Sequence, residues 1–183
     1  NLGYNGLITK LEKRFSKGLT FLSSYTWSHA IDNLDEVGNG EGTGATYVWD
    51  RNQNRGSSLT DIRHAFVFSS TYELPFGKQK RFAKSGVPAW VAGDWSLGGV
   101  VTLQCGAPFN VTTQTNTTNA FSAGALRADV VGNPNLDAPA IGRWFDTGMF
   151  RQPAVYAFGN QGMNILRADG RSVINVSVLR NIG

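Results

Sequence analysis

The stretch FSKGLTFLSSYTWSHAID, Phe15 to Asp32, decides the fold. Leu19, Phe21, Tyr25 and Trp27 all fall on one parity of its middle, and Thr20, Leu22, Ser24, Thr26 and Ser28 on the other. A period of two is the signature of a β-strand. The apolar set meets either a protein core or lipid, and that choice decides the function.

Reading back from Leu19, Ser16-Lys17-Gly18 forms a short turn, with Gly18 supplying a left-handed residue. Before it lies a strand over about 4–15. Leu7, Thr9, Leu11, Lys13 and Phe15 share one face, and Ile8, Lys10, Glu12 and Arg14 the other. Reading forward, the second strand runs over about 19–31. A third, over about 62–74, places Phe66, Phe68, Tyr72 and Leu74 on one face and Ala65, Val67, Ser69, Thr71 and Glu73 on the other, until Pro75 and Gly77 stop it. The fourth, over about 95–105, sets Trp95, Leu97, Val101 and Leu103 against Ser96, Gly98, Val100, Thr102 and Gln104. The last strand is expected over about 172–179, and a short helical turn near 88–92.

Between them lie long polar loops over 32–60 and 106–171, the second with short extended pieces such as 109–113. Connection lengths therefore run short, long, medium, long. Outer-membrane barrels combine short periplasmic turns with long outer loops. Strands of 11–13 residues suit a tilted membrane span better than the 5–6 usual in globular sheets. The expected fold is all-β, an antiparallel meander of long strands forming part of a transmembrane barrel, with 1–183 as one partial barrel domain. The eight residues from Leu19 to Trp27 climb roughly 19 Å at ~3.3 Å per residue and ~45° tilt, which sets Tyr25 and Trp27 at the far interface and Phe15 and Trp95 at the near one.

Composition agrees. Charged residues make up 16% of the 183, below the roughly 25% of soluble domains, and there are 22 glycines. The net charge of +4 is scattered except over 78–84, so no nucleic-acid face is expected. Cys105 is the only cysteine, which excludes an internal disulfide and a cysteine-based zinc site. No apolar run reaches the ~18 residues of a membrane helix, and because the chain opens on a strand-like pattern no signal peptide is expected within it.

Candidate sites are few. Asp32, Asp35, Glu36, Glu41 and Asp50 are carboxylates without the spacing of a calcium loop. The glycine-rich GNGEGTG at 38–44 lacks the lysine and helix of a phosphate loop. His29 and His64 come from separate strands and make a poor metal pair, and no Ser-His-Asp set is brought together, so neither metal nor catalysis is expected. Trp49, Asp50 and Arg51 are the most binding-like cluster, an aromatic face beside paired charges suited to a sugar, peptide or chelate. The basic run KQKRFAK suits lipid headgroups or a plain turn. The sequons at Asn110 and Asn116 are read as accidental.

Several blocks then occur in a fixed order: YNGLITKLEKRFSKGLTFLSSYTWSHAID, DIRHAFVFSSTYELPFGKQKRF, GDWSLGGVVTLQCGAPFNV, GRWFDTGMF and FGNQGMNILRADGRSVINVSVLRNI. Over nearly the whole chain this resembles the barrel region of TonB-dependent receptors of the Oar-like group. The resemblance implies a 22-stranded barrel around an N-terminal plug, and energised uptake of a scarce substrate through contact of TonB with that plug. No plug is legible here, so the expectation is an internal fragment from the later part of such a barrel.

Phe15, Phe21, Tyr25, Trp27, Phe66, Phe68, Tyr72, Trp95 and Leu103 are then expected to face lipid. Lys10, Glu12, Arg14, Ser24, Thr71, Glu73, Thr102 and Gln104 are expected to face the lumen. The implied partners are outer-membrane lipid, the rest of the barrel and plug, TonB, and an unknown small ligand. No cofactor and no nucleic acid are implied. Two alternatives stay open: an outer-membrane adhesion barrel without transport, and a secreted glycan-binding β-sandwich.

Overall fold

The structure is a computed structural model that describes residues 2–33, 52–77, 80–82, 86, 93–119 and 126–181. Two long strands come first, β1 (Gly3–Ser16) and β2 (Leu19–Asp32), followed by the short β3 (Gly56–Ser57). β4 (His64–Glu73) and β5 (Trp95–Gln104) are long again. Six short strands follow: β6 (Pro108–Phe109), β7 (Asp129–Val130), β8 (Asn135–Ala140), β9 (Arg143–Phe145), β10 (Phe150–Arg151) and β11 (Leu166–Arg167). The last is β12 (Arg171–Arg180). No helix among the described residues is long and apolar enough to cross a membrane, which leaves crossing by strands untouched.

The five long strands form one sheet in the order β1-β2-β4-β5-β12, with β3 on β2. From β2 onward the long ladders are antiparallel and free of register shifts. Residues directly opposite share a face, so whole rows can be read across. Leu19, Tyr72, Leu97 and Val178 form one row. Ser23, Phe68, Val101 and Ile174 form another, and Tyr25, Phe66, Leu103 and Ser172 a third. The opposite face carries Thr20, Thr71, Gly98 and Ser177, then Ser24, Val67, Thr102 and Val173, then Thr26, Ala65, Gln104 and Arg171. The first face carries all the aromatic residues of these rows; the second is mostly polar or small, with Leu22, Val67, Val100 and Val173 among its threonines, serines and glycines.

The β1–β2 hairpin corrects one expectation. Lys17 and Gly18 both have positive φ, 54° and 83°. That is a two-residue turn of the kind whose twist matches its strands. It leaves Ser16 opposite Leu19, hence Phe15 opposite Thr20 and Arg14 opposite Phe21. Phe15 was expected beside Phe21, and Arg14 with Glu12 and Lys10 beside Ser24. The turn has an even number of residues, so the faces of β1 are exchanged relative to that expectation. A side chain at Gly18 is blocked twice: by its φ, and by Glu73 O, 2.9 Å from where a Cβ would stand.

The chain divides into two units. One is this sheet: Gly6–Trp27, Arg63–Gln104 and Gly170–Gly183. The other gathers Asn1–Asn5, Ser28–Ile62 and Cys105–Asp169. The buried apolar residues among those described are Ala30, Leu126, Ala128, Met163 and Leu166, and all five belong to the second unit. Among the described residues the sheet unit therefore holds no buried apolar side chain, despite its aromatic face. A β-sandwich needs a second sheet packed on that face, and among the described residues the other ladders are two-stranded pairs, β10-β7, β11-β6 and β8-β9.

The described residues of 106–171, expected as a long loop with short extended pieces, pack on one another. Phe145 stacks edge-on against Phe109 at 5.8 Å and against Phe150 at 5.7 Å between centroids. Trp144 Nε1 donates to Arg167 O at 2.6 Å. Asp146 caps the 3-10 turn Thr147–Met149 by accepting from Gly148 N. Ladders of two or three residues are too short to leave an alternating pattern, which is why they were not legible in the sequence.

Candidate functional site

Two features have functional geometry: the faces of the sheet, and a buried ion cluster in the second unit.

On the apolar face, large side chains stand open. Trp27 is 47% exposed, Leu103 42%, Ile174 66% and Val176 75%. Phe21 and Phe68 lie 6.0 Å apart between centroids. Tyr25 Oη shares a hydrogen bond of 2.8 Å with His64 Nδ1, and the two rings stack at 6.2 Å. At the other end of the sheet the Arg180 guanidinium sits 5.6 Å from the Trp95 ring centroid, as their pairing dictates. An aromatic ring with a polar tip or a cation beside it at each end of an apolar band is the arrangement that a water–lipid boundary favours. On the opposite face Glu73 pairs with Lys80.

The structure brings Ser24, Thr71, Glu73, Thr102 and Gln104 to one face, and Phe21, Tyr25, Trp27, Phe66, Phe68, Tyr72, Trp95 and Leu103 to the other. Arg14 bonds Glu12 at 3.2 Å, fully in the open. Trp49, Asp50 and Arg51, the expected ligand cluster, lie outside the described residues, as do Asp35, Glu36, Glu41, 38–44 and 88–92.

Sequence reading missed the ion cluster. Asp61 is 1% exposed. Its Oδ1 accepts from Ala30 N at 2.7 Å. Its Oδ2 accepts from Arg167 Nη2 and faces His29 Nδ1 at 3.1 Å. Arg167 Nη1 donates to Asp61 O at 2.9 Å and to Gly106 O at 3.2 Å. Beside this, Ser28 Oγ donates to Ile62 O at 2.8 Å. Burial pushes the Asp61 carboxyl pKa up, but the Ala30 N–H, Arg167 and His29 outweigh it, and the net shift is below the ordinary 3.8. Asp61 is thus an anion held by two segments of chain, His29–Ala30 and Arg167. The sequence gives no hint of it, because Arg167 lies 106 residues away.

Among the described residues no three of His, Cys, Asp and Glu gather to hold an ion. The two histidines have separate partners, Asp61 for His29 and Tyr25 for His64. Asn110, the first sequon residue, uses its Oδ1 to accept from Asn164 N. Asn116 uses its own to accept from Thr118 N at 3.0 Å and Oγ1 at 2.7 Å. Both amides are structural.

A family model described as "Outer membrane beta barrel domain" matches residues 1–183. No curated protein and no solved structure matches the chain.

Proposed function

The chain belongs to the outer membrane beta barrel domain family, located in the Gram-negative outer membrane, and on that premise we propose that it is a wall segment of a TonB-dependent receptor of the Oar-like kind, which imports a scarce substrate. The observation that carries the reading is the open apolar face. Tyr72, Leu97 and Val178 of one row are exposed, as are Tyr25 and Leu103 of another, Leu19, Phe21, Phe66 and Phe68 are half-buried, and the rows pair in register across four strands. Lipid is the solvent that such a face requires.

In this reading the face of Thr20, Ser24, Thr71, Glu73, Thr102 and Gln104 lines the lumen. The hairpin turn adds Phe15 to that side, and turns Arg14, Glu12 and Lys10 toward lipid. Arg14 and Glu12 sit within four residues of the turn, where a guanidinium reaches headgroup phosphates. β1 and β12 end the strand order and need further strands to avoid open edges in lipid. The rest of the parent barrel and its plug are the partners in this reading, with TonB acting through the plug. The folded connections, braced by Asp61 and Arg167, are the outer ligand-selecting body.

The test compares which small molecules are depleted from medium by wild-type cells, by cells lacking the parent gene, and by cells lacking TonB. Transport requires a compound whose depletion is lost in both deletions. An adhesion barrel leaves depletion unchanged in the first, and that outcome refutes transport.

A further inference from the structure

We infer that the unit built from the long connections carries a binding cavity for a small monocarboxylate, with Arg55 as its anchor. The cavity, of about 450 Å³, lies within that unit. Its polar lining is Asn5, Asn33, Asn52, Asp32 and Arg55. That volume falls inside the roughly 300–1,000 Å³ of small-molecule pockets.

The backbone that presents Arg55 is fixed on both sides. Arg55 N donates to Asn52 O at 3.1 Å, closing a turn. The preceding Asn54 is 1% exposed, and its Oδ1 accepts from Arg127 Nη2 at 3.0 Å. The same Nη2 donates to Gln53 O at 2.9 Å. The following Gly56 pairs with Asp32 in the β2–β3 ladder. Met163 lies so close that a Cβ at Gly56 would stand 2.5 Å from Met163 O. Between two locked neighbours, the Arg55 side chain is exposed, and no acceptor among the described residues engages its guanidinium.

That arrangement specifies a chemistry. A guanidinium fork matches a carboxylate with two parallel hydrogen bonds. Amides such as that of Asn5 serve hydroxyl or amine groups on the same ligand. The Asp32 carboxylate repels a second negative charge, so a monoanion is favoured over a phosphate dianion. The ligand class is a small molecule with one carboxylate and a neutral polar remainder, such as a sugar acid.

The inference rests on the outer-body reading of the long connections, yet binding needs no energy source, so its test is separable from uptake. Full-length chain in outer-membrane vesicles is titrated with gluconate, glucose and inorganic phosphate, using saturation-transfer NMR. Saturable binding of gluconate is expected, with glucose and phosphate at least about tenfold weaker. Arg55→Met should weaken gluconate about tenfold, Arg55→Lys should recover part of it, and Asp32→Asn should strengthen phosphate. Heat-modifiable gel mobility confirms that each variant is folded, and Asp32→Asn, read by a gain, remains decisive if Arg55→Met is not. Gluconate that fails to saturate, binds no better than glucose, or ignores both substitutions overturns the inference. Binding without uptake would refute the transport reading alone.

Discussion

Replacing Asp61 by asparagine removes the charge on which the His29–Ala30 segment and Arg167 converge. The carboxylate accepts from Ala30 N at 2.7 Å, faces His29 at 3.1 Å and pairs with Arg167, and its own side chain is 0% exposed. Removing one member of a fully buried ion pair costs about 3–5 kcal/mol. The Arg167 side chain is 25% exposed, so water recovers part of its solvation. Asparagine also keeps an acceptor for Ala30 N. The expected cost is therefore at the low end, about 3 kcal/mol, which is roughly a hundredfold in the local opening equilibrium. The assay is hydrogen exchange of the Ala30 amide in Asp61→Asn against the unchanged chain. Arg167→Met alone should raise exchange similarly, and the double variant should cost clearly less than the sum, since no uncompensated charge then remains. Exchange changed less than about threefold, or strictly additive effects, would refute the argument that this ion pair closes the cluster.

The same group fixes a pH dependence. The folded pKa of Asp61 is depressed below 3.8, so its contribution is complete above that value and is lost as pH falls below it; Ala30 exchange, corrected for intrinsic rate, should rise on acidification only in that lower range and not in Asp61→Asn. On the sheet, Val101→Arg, in the middle of the apolar face, should cost about 2–4 kcal/mol and block membrane assembly, while Thr102→Lys, its neighbour on the other face, should assemble; equal yields of heat-modifiable barrel from both would refute the lipid assignment. Lys10→Leu should raise resistance to urea in lipid, because the hairpin register turns Lys10 to the apolar side; a loss of resistance would put Lys10 back in the lumen. Gly18→Val should slow or prevent assembly, since φ 83° and the nearby Glu73 O both exclude a branched side chain; unchanged refolding kinetics would count against the two-residue turn.

The sequence by itself determined the long strands. Alternation over nine residues, as in Leu19 to Trp27 or Trp95 to Leu103, comes from a face that meets one solvent throughout, so each strand carries its own signal. Pro75 and Gly77 likewise stop β4 by local backbone chemistry. The parity of β1 was open to error because a turn of two or three residues reads alike in Ser16-Lys17-Gly18, and one residue exchanges both faces. Only the tertiary structure decided that point, through the paired left-handed residues Lys17 and Gly18. It alone also decided the inside of the long connections. Asp61 and Arg167, Asn54 and Arg127, and Phe109 and Phe145 meet across distances in sequence at which no periodicity survives. Their short ladders are stabilised by burial and ion pairing rather than by strand pattern, and burial between distant segments exists only once the chain has folded.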